Sequence, residues 1–308
     1  MIATTGFFDG VHLGHRLVIE RLVSLARQRG DESLVVTFWP HPRAVLQDGA
    51  RELRLLNTLE EKKQLLRGLG VDRIEVLDFT RSFAALTARE YLTLLRDRFA
   101  VTTLLMGYDN RVGSDRMTAG SLAPVTDAMG IELIELEPVA LEPLGQGKHP
   151  ETVDNSPDVH PDLTHISSTV IRKSLEEGKV EEAAGMLGYR YGLRGAVVAG
   201  NRLGRTIGFP TANMKLYEPL KLVPGRGVYV VEVEVLGRKY RGMTNIGMRP
   251  TVGGTTTSIE THILDFDEDI YGLALQLRFL RRFRDEVHFP SLEALKEQLE
   301  KDRESCRE

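Results

Sequence analysis

The hydrophobic and polar positions in the first half of the chain alternate between the spacing of strands and that of helices. Apolar runs of strand length occur at five places, residues 1–6, 34–39, 71–77, 101–106 and 131–136. Segments with helical spacing of apolar residues separate them, at residues 17–26, 58–68, 87–99 and 120–129. This alternation of strand and helix predicts a doubly wound α/β domain.

The second half of the chain has a different pattern. Strand-length runs follow one another without intervening helices, at residues 194–198, 227–236, 239–245, 259–264 and 273–279. Such spacing predicts an antiparallel barrel or sandwich. An amphipathic helix at residues 290–301 is predicted to follow. Between the two halves, residues 137–165 show no sustained period, which predicts a mobile, disordered or inserted segment.

Length and composition indicate a soluble protein of two domains. The 308 residues suffice for two hydrophobic cores, and 42% hydrophobic with 27% charged residues is typical of globular proteins. A net charge of −4 and a pI near 6.1 argue against a nucleic-acid partner. The single cysteine, Cys306, permits no internal disulfide, and the chain begins within its first predicted strand. We therefore expect a cytoplasmic protein without a targeting or membrane segment.

Two histidines stand at the predicted start of the first helix, after a glycine-containing turn. His12 and His15 are three residues apart, so their rings should lie on the same side of the first helical turn. Backbone N–H groups also point outward at a helix start, and together with Gly10 and Gly14 they form a candidate phosphate site. Histidines at this spacing are also common as surface or capping residues, so both interpretations stay open.

Two further segments of the first half place polar groups where a ligand would bind. Trp39 and His41 follow the second predicted strand, at the end where open α/β sheets bind ligands. They would face a planar ligand, although a core tryptophan with a turn histidine fits equally well. Ser168, Thr169 and Arg172 cluster at a predicted helix start. That grouping suits a second phosphate site, although the hydroxyls alone are ordinary helix caps.

A glycine-rich segment in the second half precedes candidate metal ligands. Gly200, Gly204 and Gly208 are spaced four residues apart, and glycines permit a close approach of the backbone to phosphates. Thr211 and Asn213 follow, and their side-chain oxygens are hard ligands that suit Mg²⁺. The segment therefore predicts a site for a phosphate and its metal ion.

Glu260 interrupts an otherwise apolar-alternating strand pattern. A carboxylate on a strand usually faces solvent. At the mouth of a barrel it would instead be the base for a substrate hydroxyl.

Together these motifs resemble those of the bacterial bifunctional riboflavin kinase/FMN adenylyltransferase (FAD synthetase) family. In the first half the matching motifs, in family order, are residues 8–15, 40–42, 107–113 and 166–172. In the second half they are residues 204–205, 208–213, 245–251, 259–262 and 284–293. So many motifs in the correct order on two domains make the resemblance specific. It covers the chain apart from residues 137–165.

The resemblance implies a Rossmann-like nucleotidyltransferase domain at residues 1–186 and an antiparallel β-barrel riboflavin kinase domain with a terminal helix at residues 187–308. The kinase would transfer the γ-phosphate of ATP to the 5′-hydroxyl of riboflavin and make FMN. Thr211 and Asn213 would hold Mg²⁺, and Glu260 would accept the hydroxyl proton. The implied nucleotide contacts are Gly200, Gly204, Arg205 and Gly208, and the implied flavin contacts are Asn245, Arg284 and Glu286.

By the same resemblance, the first domain would adenylylate FMN with a second ATP, giving FAD and pyrophosphate. The incoming phosphate is already anionic and needs no general base, so His12, His15 and the helix start would stabilise the developing charge. Ser168, Thr169 and Arg172 would hold the leaving pyrophosphate. The implied nucleotide residues also include Gly10, Gly14 and Asp109, and His41 would lie near the flavin.

Three positions depart from the family pattern. Phe7 stands where many members have asparagine, Asn110 where an aromatic residue is common, and His165 where an arginine is frequent. His165 would make the phosphate contact pH-sensitive. The segment before it, residues 137–165, would either cover the adenylyltransferase site or have no role.

The main alternative is a riboflavin kinase whose first domain binds nucleotide without transferring it. A second alternative is a flavin-binding storage or regulatory protein, but it leaves the candidate metal ligands and Glu260 without a purpose. A third is a zinc protein that uses His12, His15 and His41. The expected partners are riboflavin, FMN and ATP, with no nucleic acid, membrane or obligatory protein partner.

Overall fold

The computed structural model describes residues 1–46, 53–107, 110–136, 166–200, 203–251, 254–287 and 289–307. Contacts divide the described residues into two compact units. The first comprises residues up to 136 together with 166–168, and the second begins at residue 169. Predictions that concern Asp109, His165 and residues 137–165 lie outside the described residues. The predicted domain boundary between residues 186 and 187 stays a prediction.

A five-stranded parallel sheet forms the centre of the first unit, as the alternation of strands and helices predicts. Its strands are β1 (Ile2–Thr5), β2 (Ser33–Trp39), β3 (Arg73–Asp78), β4 (Thr103–Gly107) and β5 (Glu132–Leu136), in the order β3-β2-β1-β4-β5. Each neighbouring pair is parallel. The strand order reverses between β1 and β4, and such a switch point opens a crevice beyond the carboxyl ends of the strands.

Helices cover both faces of this sheet. They are α1 (Leu13–Arg29), α2 (Pro42–Leu46), α3 (Leu59–Gly68), α4 (Arg81–Ala84), α5 (Ala88–Phe99) and α6 (Ala119–Ala128). Val35 and Leu105 belong to the core with residues of α1 and α3, whereas Leu34 and Leu104 belong to the core with residues of α5 and α6. The sheet is thus buried on both faces, which explains why its strands are continuous apolar runs.

Capping chemistry fixes the start of α3 and the end of α1. The Thr58 hydroxyl oxygen accepts the backbone N–H of Glu61, and the Glu61 carboxylate accepts that of Thr58, which forms a capping box. Gly30 ends α1 with a left-handed φ of 65°. These local signals set where the loops on either side of each helix begin.

Six strands of the second unit close into an antiparallel barrel, which decides between the predicted barrel and sandwich. They are β6 (Gly192–Val198), β7 (Ala212–Leu216), β8 (Gly227–Val235), β9 (Arg238–Thr251), β10 (Gly254–Ile263) and β11 (Ala274–Arg284), in the order β10-β7-β6-β11-β8-β9. The sequence pattern predicted no strand at residues 212–216. β7 forms there because it pairs with β6 on one side and β10 on the other.

The second unit also contains helices before, between and after the barrel strands. They are α7 (Ser168–Glu176), whose first residue belongs to the first unit, α8 (Val180–Leu187), α9 (Leu203–Thr206) and α10 (Leu292–Arg307). α10 extends beyond its predicted end at residue 301, and its Leu299 packs against a core cluster that includes Phe209 and Met243. Within the described ranges, no helix has the length and apolar character needed to cross a membrane.

Candidate active sites

The turn between β1 and α1 has an unusual backbone. Phe8 and Val11 have positive φ angles of 53° and 37°, and Gly10 lies between them with 85°. Residues other than glycine rarely adopt this region, and each such residue costs roughly 1–3 kcal/mol. Both apolar side chains are buried, so core packing holds the turn in this conformation. Strained turns of this kind cluster at functional sites.

His12 and His15 meet at the start of α1, in agreement with the prediction from their spacing. Their rings stack with centroids 3.6 Å apart and 19° between the planes. His12 is the helix N-cap, and its Nδ1 accepts the backbone N–H of His15 at 3.4 Å. A neutral His12 therefore carries its proton on Nε2, which can donate to a ligand. The Nδ1 of His15 is buried and has no hydrogen-bond partner among the described residues.

Burial keeps both imidazoles neutral. Desolvation lowers the pKa of His12 from 6.5 to about 4. Desolvation also lowers the pKa of His15 well below its ordinary value, and the neighbouring His12 and Lys62 lower it further. At neutral pH the two rings therefore offer N–H groups rather than charge, while the helix start contributes partial positive charge.

Ser168 and His41 approach the same turn. The Ser168 hydroxyl donates to the backbone carbonyl of Asp9 at 2.8 Å. The His41 ring meets the Phe7 ring edge-on with centroids 4.1 Å apart, and its Nδ1 accepts the backbone N–H of Arg43. His41 is thus a turn residue that also borders the candidate site. The departure at position 7 places an aromatic ring against the predicted flavin residue.

The other predicted residues of this site have less distinctive surroundings. A Cβ added at Gly14 would rest 3.4 Å from the His12 ring, which is ordinary contact. Trp39 is partly exposed at the end of β2, so it is not fully buried in the core. Thr169 is exposed and Arg172 partly exposed on α7, and both are grouped by contacts with the second unit.

A cavity of about 590 Å³ opens in the second unit. It brings together most of the residues that the sequence predicted for the kinase, namely Gly204, Thr211, Asn245, Glu260, Arg284 and Glu286. An apolar wall completes it, including Phe209, Val228, Met243, Leu292, Leu295 and Leu299. A mostly apolar pocket with a few convergent polar groups is typical of sites for a flat aromatic ligand.

The strand register of the barrel places the predicted polar residues in one row. Glu260 on β10 lies directly opposite Asn213 on β7 and Asn245 on β9. The row continues through Val228 on β8 to Arg284 on β11. Side chains directly opposite each other in antiparallel strands share a face of the sheet. The carboxylate of Glu260 therefore lines the cavity between two amide side chains rather than facing bulk solvent.

The glycines of the candidate phosphate segment make room for close contacts. A Cβ at Gly200 would overlap the side-chain amide of Asn213, and one at Gly204 would overlap the carbonyl oxygen of Phe209. Gly208 has a left-handed φ of 84°. Arg205, between these glycines on α9, is exposed. The segment therefore packs closely against the candidate metal ligand while its arginine remains accessible.

The donor set beside Glu260 fits Mg²⁺. Thr211 lines the cavity, and Asn213 is paired in register with Glu260. A hydroxyl, an amide oxygen and a carboxylate are the hard oxygen ligands that Mg²⁺ takes, usually with substrate phosphates completing its shell. Across the part of the chain that the structure describes, no group of three or more His, Cys, Asp or Glu residues is arranged to hold a metal ion.

Two contacts at the cavity rim position predicted flavin residues. The side-chain amide of Asn245 donates to Glu286 Oε1 at 3.4 Å. A Cβ at Gly247 would overlap that same oxygen, so the glycine makes room for the carboxylate. Arg284 Nε and Nη2 donate to the Asp302 carboxylate at 3.0 and 2.6 Å. The guanidinium is therefore held in a fixed orientation from α10.

Asp302 is a functional candidate that sequence reasoning missed. It is completely buried, and its second oxygen accepts the amide of Gln298 at 2.7 Å. In the sequence it stands within a run of charged residues at the end of α10, where a solvated face is the ordinary expectation. Its spacing from Leu295 and Leu299, which line the cavity, is the signal that would have indicated its inward position.

Family models match both halves of the chain. The model described as FAD synthetase matches residues 1–144, and the model described as riboflavin kinase matches residues 187–308. The first match contains the histidine pair, and the second contains the barrel cavity. The histidine pair and the barrel cavity therefore fall in separate family matches, and Ser168, Thr169 and Arg172 lie between the two matched ranges.

Relatives over the whole chain agree with these matches. A bifunctional riboflavin kinase/FMN adenylyltransferase of Listeria monocytogenes is 36% identical over 99% of this chain and 91% of its own. That of Escherichia coli is 35% identical over 100% of this chain and 92% of its own. A crystal structure described as a macrolide-efflux protein from Streptococcus pneumoniae is 34% identical, with a TM-score of 0.87 over 99% of this chain and 93% of its own. The chain therefore belongs to the bifunctional riboflavin kinase/FMN adenylyltransferase family and is an enzyme of flavin cofactor synthesis.

Proposed function

We propose that each unit performs one of the two activities of the family. The barrel phosphorylates riboflavin to FMN, and the α/β unit adenylylates FMN to FAD. The observation that supports this division most strongly is the row that sets Glu260 between Asn213 and Asn245 at an apolar cavity. A carboxylate in this position can accept the proton of a hydroxyl nucleophile. The presence of this candidate base distinguishes the barrel cavity from the histidine site.

In the barrel, Glu260 would accept the proton of the riboflavin 5′-hydroxyl as its oxygen attacks the γ-phosphorus of ATP and ADP leaves. Thr211 and Asn213 would hold Mg²⁺, which neutralises charge on the phosphates. Arg284 and Glu286 would contact the polar edge of the flavin. The leucines of α10 would pack against its ring and exclude water from the reacting hydroxyl.

In the first unit, an oxygen of the FMN phosphate would bond to the α-phosphorus of ATP while the bond to pyrophosphate breaks. The nucleophile is an anion, so the site needs donors rather than a base. The Nε2–H of His12 and the start of α1 would stabilise the charge that builds up on the phosphate oxygens. Ser168, which contacts the turn, is the first residue of the segment predicted to hold pyrophosphate.

The further requirements follow from the same chemistry. We propose Mg²⁺ as the metal ion for both reactions, because each takes place on the anionic triphosphate of ATP, whose charge the ion neutralises. We also propose a cytoplasmic enzyme that needs no nucleic acid, membrane or obligatory protein partner. The net charge of −4 supports the absence of a nucleic-acid partner, and the single cysteine supports a reducing compartment.

The test is to incubate the protein with riboflavin, ATP and Mg²⁺ and to separate the flavins by chromatography over time. FMN should appear first, followed by FAD and one pyrophosphate for each FAD. Chelation of Mg²⁺ should stop both steps. Accumulation of FMN without FAD would contradict the proposal and favour a kinase whose first unit only binds nucleotide.

A further inference from the structure

Lys62 is one of several charged residues on α3, and its side chain is completely buried. A buried ammonium is unfavourable unless it finds partners. Its Nζ donates to the backbone carbonyl of Phe7 at 2.6 Å and to the Thr37 hydroxyl at 3.4 Å. It also lies 3.5 Å from the centre of the Phe7 ring, a cation–π distance. The lysine thus connects α3 to the first residue of the turn before α1.

These contacts fix a backbone that would otherwise relax. The Phe7 carbonyl also accepts the Thr37 hydroxyl at 3.2 Å, and the next residue, Phe8, has a φ of 53°. Further along the turn, the Asp9 carboxylate accepts the backbone N–H of Leu56 at 3.1 Å. A left-handed residue other than glycine persists only where its surroundings hold it. Lys62 restrains the turn on its β1 side through the contact with the Phe7 carbonyl.

Lys62 also brings a buried positive charge close to the histidines. Desolvation lowers its pKa to about 8 while Asp9 acts to raise it, so the ammonium is mostly protonated at pH 7. The groups that lower the pKa of His15, besides desolvation, are His12 and this ammonium. A charge in a low-dielectric interior acts more strongly on a nearby anion than a surface charge does.

We propose that Lys62 is a positioning residue for adenylyl transfer, because it contacts the turn that leads to His12 and adds positive charge near His15. This inference rests on the proposed role of the first unit. It assigns a function to a lysine that the proposed mechanism of adenylyl transfer does not otherwise use.

Lys62→Met removes the ammonium and keeps an unbranched side chain of similar length. Lys63→Met is the matched control, because Lys63 is adjacent on α3, has the same charge and pairs with Glu60 at the surface. With supplied FMN, Lys62→Met should lower kcat for FAD formation about tenfold or more, and change KM for ATP by less than about threefold. FMN formation from riboflavin should stay unchanged in both variants, as should FAD formation in Lys63→Met.

A titration separates positioning from a general loss of structure. Removal of the buried charge should raise the pKa of His15 toward its ordinary value, seen in the ring-proton NMR signals and as a shift of the acid limb of the kcat profile to higher pH. A purely structural lysine would not move this limb. Lys62→Arg, which keeps the charge and the donor, should retain more FAD formation than Lys62→Met.

Equal kcat for FAD formation in Lys62→Met and Lys63→Met would overturn the inference. The inference would also be overturned if Lys62→Arg formed less FAD than Lys62→Met. This criterion applies even if the Met variant folds poorly. Wild-type protein that makes FMN but no FAD would contradict the proposed function instead. The two failures are therefore distinguishable in one set of assays.

Discussion

The two candidate sites offer a phosphate different chemistry. At the start of α1 the groups are two neutral stacked imidazoles and a helix terminus, and the nearby Asp9 carboxylate accepts backbone N–H groups of Leu56 and Asn57. In the barrel, the carboxylate of Glu260 lines an apolar cavity. The difference corresponds to the two nucleophiles of the family. An anionic phosphate needs stabilisation of charge, whereas a hydroxyl needs a base.

The two sites also differ in what holds them in place. The barrel residues are aligned by a regular ladder of paired strands, and Arg284 is additionally fixed by Asp302. The histidine site depends on a turn with two left-handed residues other than glycine. Substitutions near that turn should therefore affect geometry as well as chemistry, while substitutions in the barrel row should act on chemistry more selectively.

The largest effect is expected for Glu260→Gln. The amide keeps the size of the side chain but cannot accept the hydroxyl proton, so FMN formation should fall roughly 10²- to 10⁴-fold. FAD formation from supplied FMN should not change. Glu234→Gln is the control. Glu234 is also a carboxylate on a barrel strand, but it forms an ion pair with Arg278 on the neighbouring strand. Unchanged FMN formation in Glu260→Gln would exclude Glu260 as the base.

A loss of roughly 10²- to 10³-fold in FAD formation is expected for His12→Asn, since the shorter asparagine amide cannot place an N–H where the Nε2–H of His12 stands. Asparagine is a good N-cap, so this variant should keep the start of α1 intact. His12→Ala loses the cap as well and should be less stable by about 1 kcal/mol. Riboflavin phosphorylation measured on the same samples is the internal control. Full FAD formation in the Asn variant would refute the role of His12.

A smaller effect is expected for Asp302→Asn. The change leaves the Arg284 guanidinium without its carboxylate, so KM for riboflavin should rise about tenfold and the melting temperature should fall by about 10 °C. Glu304→Gln, an exposed position on the same helix, is the control. If KM stayed at the wild-type value while stability fell, Asp302 would serve α10 packing rather than the flavin site.

The smallest effect concerns pH and the stability of the first unit. The pKa of His12 is lower in the folded state, about 4, than its ordinary 6.5, so the unfolded state binds the proton more readily between these values. The contribution of His12 to the free energy of unfolding is fully present above that window and decreases as pH falls through it. His12 should account for about 1 kcal/mol of destabilisation between about pH 7 and about pH 5.5. Urea unfolding of wild type and His12→Asn at both pH values measures this difference.

Much of the fold could be predicted because its signals are local. The capping pair Thr58 and Glu61 and the alternation of strands and helices are readable from neighbouring residues. β7 was missed although its residues, Ala212–Leu216, alternate between apolar and polar, because the run is only five residues long and follows the glycine-rich segment. Its place in the barrel is set by pairing with β6 and with the distant β10. Local pattern also could not choose between barrel and sandwich, since closure depends on the pairing of β9 with β10 and of β10 with β7.

The candidate sites show the same limit. Motif spacing brought out Glu260, Asn213 and the histidine pair, because their residue types are unusual where they stand. Helical spacing places Lys62 on the same face of α3 as the buried Leu66, four residues on, and this is the signal that separates it from its partly exposed neighbour Lys63. The Lys62 ammonium reaches the Phe7 carbonyl across 55 positions of the chain. The identity of such a distant partner depends on tertiary structure and could not be predicted from local spacing.

The most direct test of the division of labour uses two single variants, His15→Ala and Glu260→Gln, separately and mixed, with riboflavin, ATP and Mg²⁺. His15→Ala should make FMN but no FAD, and Glu260→Gln should make neither from riboflavin but FAD from supplied FMN. The mixture should make FAD from riboflavin, because each protein retains the step that the other lacks. If either substitution reduced both steps equally, the two activities would not belong to separate units.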